Sequence, residues 1–369
     1  MKIRFLFLIF MLFCRILNAD LLKENFITFD LNNSFAKAVI DFESDNLEKF
    51  MKLDDNDNGI VSWKEIKAHK EEIENFVLSH VEISVDKKRC KSSVDKFEVY
   101  RRVHQSYIKL YLALSCELPK EAISLKYDLF FDVDKDQKAF VKIADKDIST
   151  PVILSSRKVE VKLNLKKEPM WSSFLNFLIE GIWHIWIGFD HILFLLMLLI
   201  PSVYIYGNST LYPRENFKDV LFEILKVVTA FSIAHSITLA LSVTKTVTLN
   251  TAFVEVAIAV SVLFTALNNL YPVIKHKAWI MAFSFGLIHG FGFANVLHEL
   301  IVKNSDFVAM LLGFNLGVEI GQMAIVAALL PIFYFLRGSK YYRYLILYGL
   351  SGIAAIISFI WAVERSFAL

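Results

Sequence analysis

Histidines and acidic residues inside long apolar stretches are the part of this sequence best suited to chemistry. The chain has nine histidines, and five lie in or beside apolar stretches of its second half. An ionisable residue in hydrocarbon costs about 2.5 kcal/mol or more, so a group of them indicates a pathway or a site. Imidazole and carboxylate ligands without a thiolate suit divalent nickel, cobalt or zinc, and proton relay by the same groups is the alternative. The candidate metal ligands are His184, Asp190, His191, His235, Glu255, His289 and Glu319.

The spacing of these residues predicts their relative positions. His184 and His191 are seven residues apart, which on one continuous helix places them on one face about 10 Å apart. Asp190 then points about 100° away, beside His191, so other helices must complete a metal site. The residues expected near the bilayer midplane are Asp190, His191, His235, His289 and Glu319, and those expected on an access route from outside are His184, Glu255 and His298.

The apolar stretches that carry these residues predict a membrane domain. The chain of 369 residues is 55% hydrophobic and 21% charged, with a mean hydropathy of +0.47, which excludes a cytosolic enzyme, a fibrous protein and a disordered chain. Charged residues are concentrated before residue 174 and are sparse after it. The net charge of +2 gives no indication of nucleic-acid binding. The lipid bilayer and a metal ion are therefore the expected partners, and no protein partner can be named.

About six runs are long enough to span a bilayer, at 174–200, 220–243, 252–271, 278–297, 307–336 and 344–363. With the N-terminal domain outside, most basic loop residues fall on the cytoplasmic side, as the positive-inside rule requires, and Arg365 counts among the few outside. Glycines recur every four residues at 286 and 290 and from 313 to 321, a pattern typical of close helix packing.

The N-terminus predicts export of the first domain. Lys2 and Arg4 precede an apolar run, and Ala19 is a small residue at a suitable cleavage position, so residues 1–19 are interpreted as a signal peptide, with an uncleaved anchor as the alternative. Cys90 and Cys116 then lie in an oxidising compartment, where they form a disulfide or stay as two buried thiols. These features predict a bacterial inner-membrane protein with its N-terminal domain on the periplasmic or external side.

The exported domain contains a twelve-residue segment that resembles the calcium loop of an EF-hand. The glycine expected at its sixth position is Gly59, and helical patterns flank the loop within residues 20–82. Two carboxylates and two amides predict modest calcium affinity, and an Asx-rich turn is the alternative. Within residues 83–169, the segments 106–116, 123–131 and 159–163 alternate in polarity, which predicts a small β-sandwich. The candidate calcium ligands are Asp54, Asn56, Asn58, Ile60, Ser62 and Glu65.

The second half of the chain resembles the HupE/UreJ family of membrane proteins. Residues 184–191 read HIWIGFDH and are similar to the family signature HxxxGxDH. Residues 231–236, 285–294 and 313–322 resemble later blocks, and 361–365 resemble the family's C-terminal ending. The chain has Ile185 where the short permeases have proline, and it adds a long exported domain. The resemblance implies a long form of this family, with a transmembrane domain at residues 170–369.

Three functions are compatible with these observations. The resemblance implies a permease for a divalent transition metal, with nickel or cobalt as the leading candidates. An intramembrane zinc-dependent hydrolase would use the same residues to activate water. A calcium-responsive scaffold or sensor is the third possibility. The expected fold class is mixed: a polytopic α-helical membrane domain preceded by a domain with an EF-hand-like segment and a β-sandwich.

Overall fold

The structure is a computed structural model that describes residues 24–31, 36–58, 61–102, 105–135, 137–144, 152–165, 169–207, 211–292 and 306–367. The described residues divide into two compact units: an N-terminal unit that contains those up to Met170 together with Asp306, and a membrane unit that contains those from Trp171 to Gly292 and from Phe307 onward. Several predicted features lie outside the described residues: the signal peptide 1–19, Gly59 and Ile60 of the calcium loop, and His298.

The N-terminal unit is built on two sheets. A six-stranded sheet has the order β5-β6-β2-β1-β8-β9, and a four-stranded sheet has the order β10-β7-β3-β4. Neighbouring strands are antiparallel except β1 and β8, which are parallel. The strands are β1 (Glu24–Asp30), β2 (Lys37–Glu43), β3 (Val81–Val85), β4 (Lys88–Arg89), β5 (Ser92–Arg102), β6 (Gln105–Leu114), β7 (Ala122–Tyr127), β8 (Lys138–Ile143), β9 (Val152–Ser155) and β10 (Glu160–Asn164).

Alternating polarity explains these strands, since every second side chain enters one shared core. In β3, Val81, Ile83 and Val85 are buried and the residues between them are not. The core also takes apolar side chains from the helices α1 (Trp63–Ala68) and α2 (Lys70–Ser79). The predicted strand-rich region is confirmed. In addition, β1 and β2, in a segment where the sequence predicted no strands, pair with β6 and β8, so segments 20–82 and 83–169 share one sheet.

The membrane unit consists mainly of apolar helices. A 3-10 turn (Ile200–Val203) and a short hairpin of β11 (Tyr204–Tyr206) and β12 (Leu211–Pro213) connect two of them. A π-helical segment (Tyr342–Leu350) leads directly into the last helix. The helices are α3 (Met170–Ile187), α4 (Phe189–Leu199), α5 (Phe217–Val243), α6 (Thr251–Leu270), α7 (Ala278–Gly292), α8 (Phe307–Leu336) and α9 (Ser351–Ser366).

These helices confirm a membrane domain. Among the described residues, α5, α6, α8 and the continuous segment Tyr342–Ser366 are long and apolar enough to cross a membrane, and α3 with α4 makes a fifth candidate span. The predicted span 278–297 corresponds to α7, which has 15 residues and ends at Gly292, the last described residue before residue 306. The structure therefore supports four or five of the six predicted spans.

The first predicted span is not one continuous helix. α3 and α4 meet at Gly188 with a bend of 72°. Gly188 has φ −70° and ψ 96°, an extended conformation that ends one helix and begins the next. A Cβ atom at this position would lie 2.8 Å from Nδ1 of His191. Glycine therefore allows the imidazole to fold back against the break.

Glycines set the distances between the helices that carry the histidines. A Cβ atom on Gly317 of α8 would lie 2.0 Å from the backbone oxygen of Leu178 in α3. A Cβ atom on Gly290 of α7 would lie 2.4 Å from the backbone oxygen of His235 in α5. The predicted close packing is confirmed, and it brings helix backbones together beside the candidate site.

Candidate metal site

Three histidines from three helices come together in the membrane unit. His184 of α3, His191 of α4 and His235 of α5 each offer one imidazole nitrogen, and these nitrogens lie within 4.8 Å of one another. The ring centroids of His184 and His191 are 4.8 Å apart. The predicted separation of about 10 Å is wrong because it assumed a straight helix, and the break at Gly188 folds the two rings together. His184 consequently belongs to the cluster and not to an outer access route.

The tautomer of His191 is fixed by a neighbouring carboxylate. Oδ1 of Asp190 lies 2.8 Å from Nδ1 of His191 and also accepts the His191 backbone N–H at 2.9 Å. Because a carboxylate only accepts, the ring donates from Nδ1 and keeps its lone pair on Nε2. That Nε2 is buried, with no hydrogen-bond partner in the part of the chain that the structure describes.

The tautomer of His235 is fixed in the same way by an amide. The amide nitrogen of Asn315 donates to the backbone oxygen of Leu311 at 2.9 Å, which orients the amide oxygen toward Nδ1 of His235 at 3.4 Å. His235 therefore also donates from Nδ1 and keeps its lone pair on Nε2. Nε2 is again buried, and within the described ranges it has no hydrogen-bond partner.

This donor set fits a divalent transition metal. Two nitrogens bound to one ion at about 2.0–2.1 Å each can be at most about 4.2 Å apart, so a group within 4.8 Å closes on an ion after small side-chain movements. Buried lone pairs without donors are costly, and a metal ion satisfies them. A carboxylate or carbonyl on the second ring nitrogen is the usual support for a metal-bound histidine.

His289 lies next to this cluster. Its ring centroid is 5.1 Å from that of His191. The hydroxyl of Ser261 donates to the backbone oxygen of Ile258 at 2.7 Å, so it accepts from Nε2 of His289 at 3.0 Å. This leaves the lone pair on Nδ1, which is buried and has no hydrogen-bond partner among the described residues. His289 therefore offers Nδ1 as a further nitrogen ligand beside the three-histidine group, which does not include it.

The two glutamates predicted as ligands lie outside the three-histidine group. Glu319 accepts a hydrogen bond from the hydroxyl of Thr229 at 3.2 Å. The backbone oxygen of Glu255 accepts from Nη1 of Arg365 at 3.2 Å. Asp190 belongs to the site through His191, and its other oxygen, Oδ2, lies 4.0 Å from Nη1 of Arg365.

The sequence alone did not identify several residues that support the site. Asn315 and Ser261 were not among the candidate ligands, and Arg365 was counted among the few basic residues outside. The side chain of Arg365 is in fact only 14% exposed. A polar residue inside an apolar helix was the signal available for Asn315 and Ser261. Arg365 gave no comparable signal, because it lies in the last turn of a span where basic residues are common.

The calcium-loop candidates come together around the carboxylate of Glu65. Oε1 of Glu65 accepts from the amide nitrogen of Asn56 at 2.6 Å, and Oε2 accepts from the hydroxyl of Ser62 at 2.6 Å. Asp54 accepts the backbone N–H of Asn58 at 3.2 Å. Glu65 is only 6% exposed. Hydrogen bonds from Ser62 lower the pKa of the Glu65 carboxyl, so it stays charged within the loop.

The same unit contains the two cysteines that the sequence proposed as partners. The structure joins Cys90 and Cys116 in a disulfide, with 5.5 Å between their Cα atoms. Cys90 is buried beside the shared core, and Cys116 packs against it. The disulfide connects the loop after β4 to the end of β6.

Comparison with known proteins gives one family match, which includes every helix that carries a candidate metal ligand. A family model described as HupE / UreJ protein matches residues 160–365, which include all seven candidate metal ligands and Arg365. No curated protein gives a significant match to this chain. Because the matched region is more than half of the chain and contains the three-histidine cluster, the chain belongs to the HupE/UreJ family.

Proposed function

We propose that this protein is a membrane permease for a divalent transition metal, with nickel or cobalt as its substrate. The observation that carries the proposal is the cluster of His184, His191 and His235. In two of these rings a hydrogen bond fixes the tautomer that leaves Nε2 available. Imidazole ligands favour nickel, cobalt and zinc over magnesium and calcium, and the HupE/UreJ family generally transports nickel or cobalt.

The broken helix supports transport as the role of this site. Transporters commonly place substrate sites at discontinuous helices, because the interrupted backbone lines a cavity and can move. Here the break at Gly188 separates His184 from His191. A change in the angle at Gly188 would alter the distance between these two ligands. Metal binding and release could thereby be coupled to movement of α3 against α4.

We place Glu255 and Glu319 on the routes by which an ion reaches and leaves the histidine cluster. Glu255 lies near the start of α6, which is the outer end in the proposed topology, and its carbonyl contacts Arg365. Glu319 lies one turn beyond Asn315 on α8, toward the inner end. We assign Glu255 to the outer approach and Glu319 to an inner station for the ion or a proton.

Uptake by reconstituted protein tests this function. The full-length chain would be placed in liposomes that contain a metal-sensitive fluorophore, and external nickel, cobalt, zinc or magnesium would be added. We expect uptake of nickel or cobalt but not magnesium, abolished in His191→Ala and unchanged in His276→Ala. His276 is an exposed histidine of the same unit and serves as the matched control.

Two outcomes would overturn the proposal. Wild-type uptake no faster than that of empty liposomes would exclude a permease under these conditions. Equal uptake by wild type and His191→Ala would exclude the three-histidine site. Zinc bound at one ion per chain that resists dialysis, without uptake, would instead support the hydrolase and direct the next experiments to hydrolytic substrates.

We also propose that the loop 54–65 binds calcium and adds a calcium-responsive element to the permease. The supporting observation is the carboxylate of Glu65, which turns into the loop and contacts Asn56 and Ser62. The capping box of Ser62 and Glu65 at the start of α1 holds this orientation. A calcium ion would take the place of the Asn56 and Ser62 donors at the Glu65 oxygens.

We propose the bacterial inner membrane as the location, with the N-terminal unit on the periplasmic or external side. Three observations support this orientation. Residues 1–19 have the composition of a signal peptide, Cys90 and Cys116 are joined as in oxidising compartments, and basic loop residues favour the opposite side.

A further inference from the structure

The two oxygens of Asp190 face different protein groups, and Oδ1 is the one that makes hydrogen bonds. Oδ1 faces the Nδ1 proton and the backbone N–H of His191. Oδ2 faces Nη1 of Arg365 at 4.0 Å. A carboxylate hydrogen-bonded to the second ring nitrogen is the usual support of a metal-bound histidine. Asp190 is therefore better described as a support for His191 than as a metal ligand.

Arg365 is held beside this carboxylate by its own contacts. Its Nη1 donates to the backbone oxygen of Glu255 at 3.2 Å, which ties the end of α9 to the start of α6. Its guanidinium carbon lies 5.7 Å from the ring centroid of Trp361, a buried residue one turn earlier in α9. Arginine side chains are seldom this buried without a partner, and Asp190 lies at ion-pair distance from Arg365.

The pair changes the electrostatics of the histidine cluster. Three neutral imidazoles bring no charge to a divalent ion, so the nearest full charges decide how strongly the site attracts it. The negative charge of Asp190, which contacts a ring of the cluster, favours the ion. The positive charge of Arg365, on the far side of that carboxylate, disfavours the ion, and part of the attraction is cancelled. Charge interactions are stronger in a buried site than in water, so this cancellation has a measurable effect on affinity.

We propose that Arg365 pairs with Asp190 and, through this pair, limits the affinity of the histidine cluster for its metal. Limited affinity allows the bound ion to leave, which a permease requires. The role of limited affinity in transport rests on the proposed function, whereas the effect of Arg365 on metal affinity does not. Loss of the positive charge should therefore tighten metal binding and slow transport.

Cobalt binding to the detergent-purified full-length protein tests this proposal. Cobalt is the probe because its visible absorption reports both affinity and ligand geometry. We expect Arg365→Gln to bind cobalt about tenfold more tightly than wild type, since one positive charge is removed from a buried site. Arg365→Lys keeps the charge and should bind within about threefold of wild type. In liposomes, Arg365→Gln should take up cobalt more slowly.

A purely structural role for Arg365 predicts the opposite sign. If Arg365 only packs α9, Arg365→Gln loosens the site and weakens cobalt binding, and Arg365→Lys does the same. Arg337→Gln is the matched control, because the guanidinium of Arg337 binds backbone oxygens such as that of Arg214 at 2.6 Å, and its loss should not change cobalt affinity. Weaker or unchanged binding by folded Arg365→Gln would overturn the proposal.

A double substitution keeps the proposal testable if Arg365→Gln does not fold alone. Asp190→Asn should weaken cobalt binding, because it removes a negative charge and leaves Arg365 uncompensated. Adding Arg365→Gln to Asp190→Asn should restore part of that affinity, whereas two independent structural losses would weaken binding further. Absence of any restoration would refute the charge pairing. Tighter binding without wild-type uptake would refute the permease and leave this inference standing.

Discussion

The two candidate ion sites of this protein are built in contrasting ways. The loop 54–65 of the N-terminal unit offers oxygen atoms from a continuous stretch of twelve residues, and two of its four acidic residues, Asp55 and Asp57, are exposed. The cluster in the membrane unit offers neutral imidazoles from three helices that are separated by a break and by about fifty residues of chain. One site is local in sequence, and the other exists only when the helices pack.

The surroundings of each site, water for the loop and hydrocarbon for the cluster, explain this difference. A carboxylate near water costs little, so the loop can balance the charge of calcium with its own charges. A carboxylate in hydrocarbon is costly, so the buried cluster uses neutral donors and pairs Asp190 with Arg365. A local motif therefore suits the hydrated unit, whereas the membrane unit requires donors that several helices position together.

The largest expected effect is a loss of cobalt or nickel binding that leaves calcium binding unchanged. His235→Ala removes one of three nitrogens and should lower cobalt or nickel affinity by more than about 100-fold. Calcium affinity should not change, because the loop lies in the other unit. Isothermal titration of the full-length protein with each ion measures both, with His276→Ala as control. A simultaneous loss of calcium binding would show that the two sites are coupled.

Helix packing should matter for the buried site alone. Gly290→Ala introduces a Cβ atom 2.4 Å from the backbone oxygen of His235. The two helices must separate, so we expect a loss of stability of about 1–3 kcal/mol and weaker cobalt binding. Gly352→Ala is the control, since nothing lies within 4 Å of its Cβ position. Equal melting temperatures for Gly290→Ala and wild type would contradict the close packing.

The local site should depend on one carboxylate. Glu65→Gln removes a charge and an oxygen ligand at the last position of the loop and should weaken calcium binding by about tenfold or more. Glu71→Gln, an exposed acidic residue in the first turn of α2, is the control. Calcium-sensitive uptake would be measured in the same variants. An unchanged calcium titration for Glu65→Gln would refute the proposed loop.

The smallest expected effect concerns the pH dependence of the loop region. His69 contacts Asp55 at 3.0 Å and Glu72 at 3.1 Å, and these carboxylates raise the pKa of its imidazole. A raised pKa means that protonated His69 stabilises the fold fully below about pH 6.5 and that this contribution is lost as the pH rises through the folded-state value. The contribution should be a few tenths of a kcal/mol.

Melting of the full-length protein across this pH range tests the effect. His69→Gln should lower the melting temperature at pH 5.5 and have less effect at pH 8.5. A difference between wild type and His69→Gln that is constant with pH would show that the carboxylate contacts do not depend on protonation. Calcium should be absent, because Asp55 lies within the proposed calcium loop.

Much of this protein is determined by its sequence through local rules. Apolar runs of sufficient length predict membrane helices because hydrocarbon admits few charges, and the motif at residues 184–191 indicated the HupE/UreJ family before any contact was known. Alternation predicted β6, β7 and β10. It did not reveal β1 and β2, whose pairing partners, β6 and β8, lie many residues away.

The tertiary structure decided how the histidines meet and which groups support them. Periodicity assumed a straight helix, but the bend at Gly188 brings His184 and His191 together. Asn315 reaches His235 from another helix, and Arg365 reaches Asp190 from the end of the chain. Spacing along the chain fixes only neighbours within a helix. Packing between helices decides which groups meet in a buried site, because each buried hydrogen-bond donor and each buried charge needs a partner close to it in three dimensions.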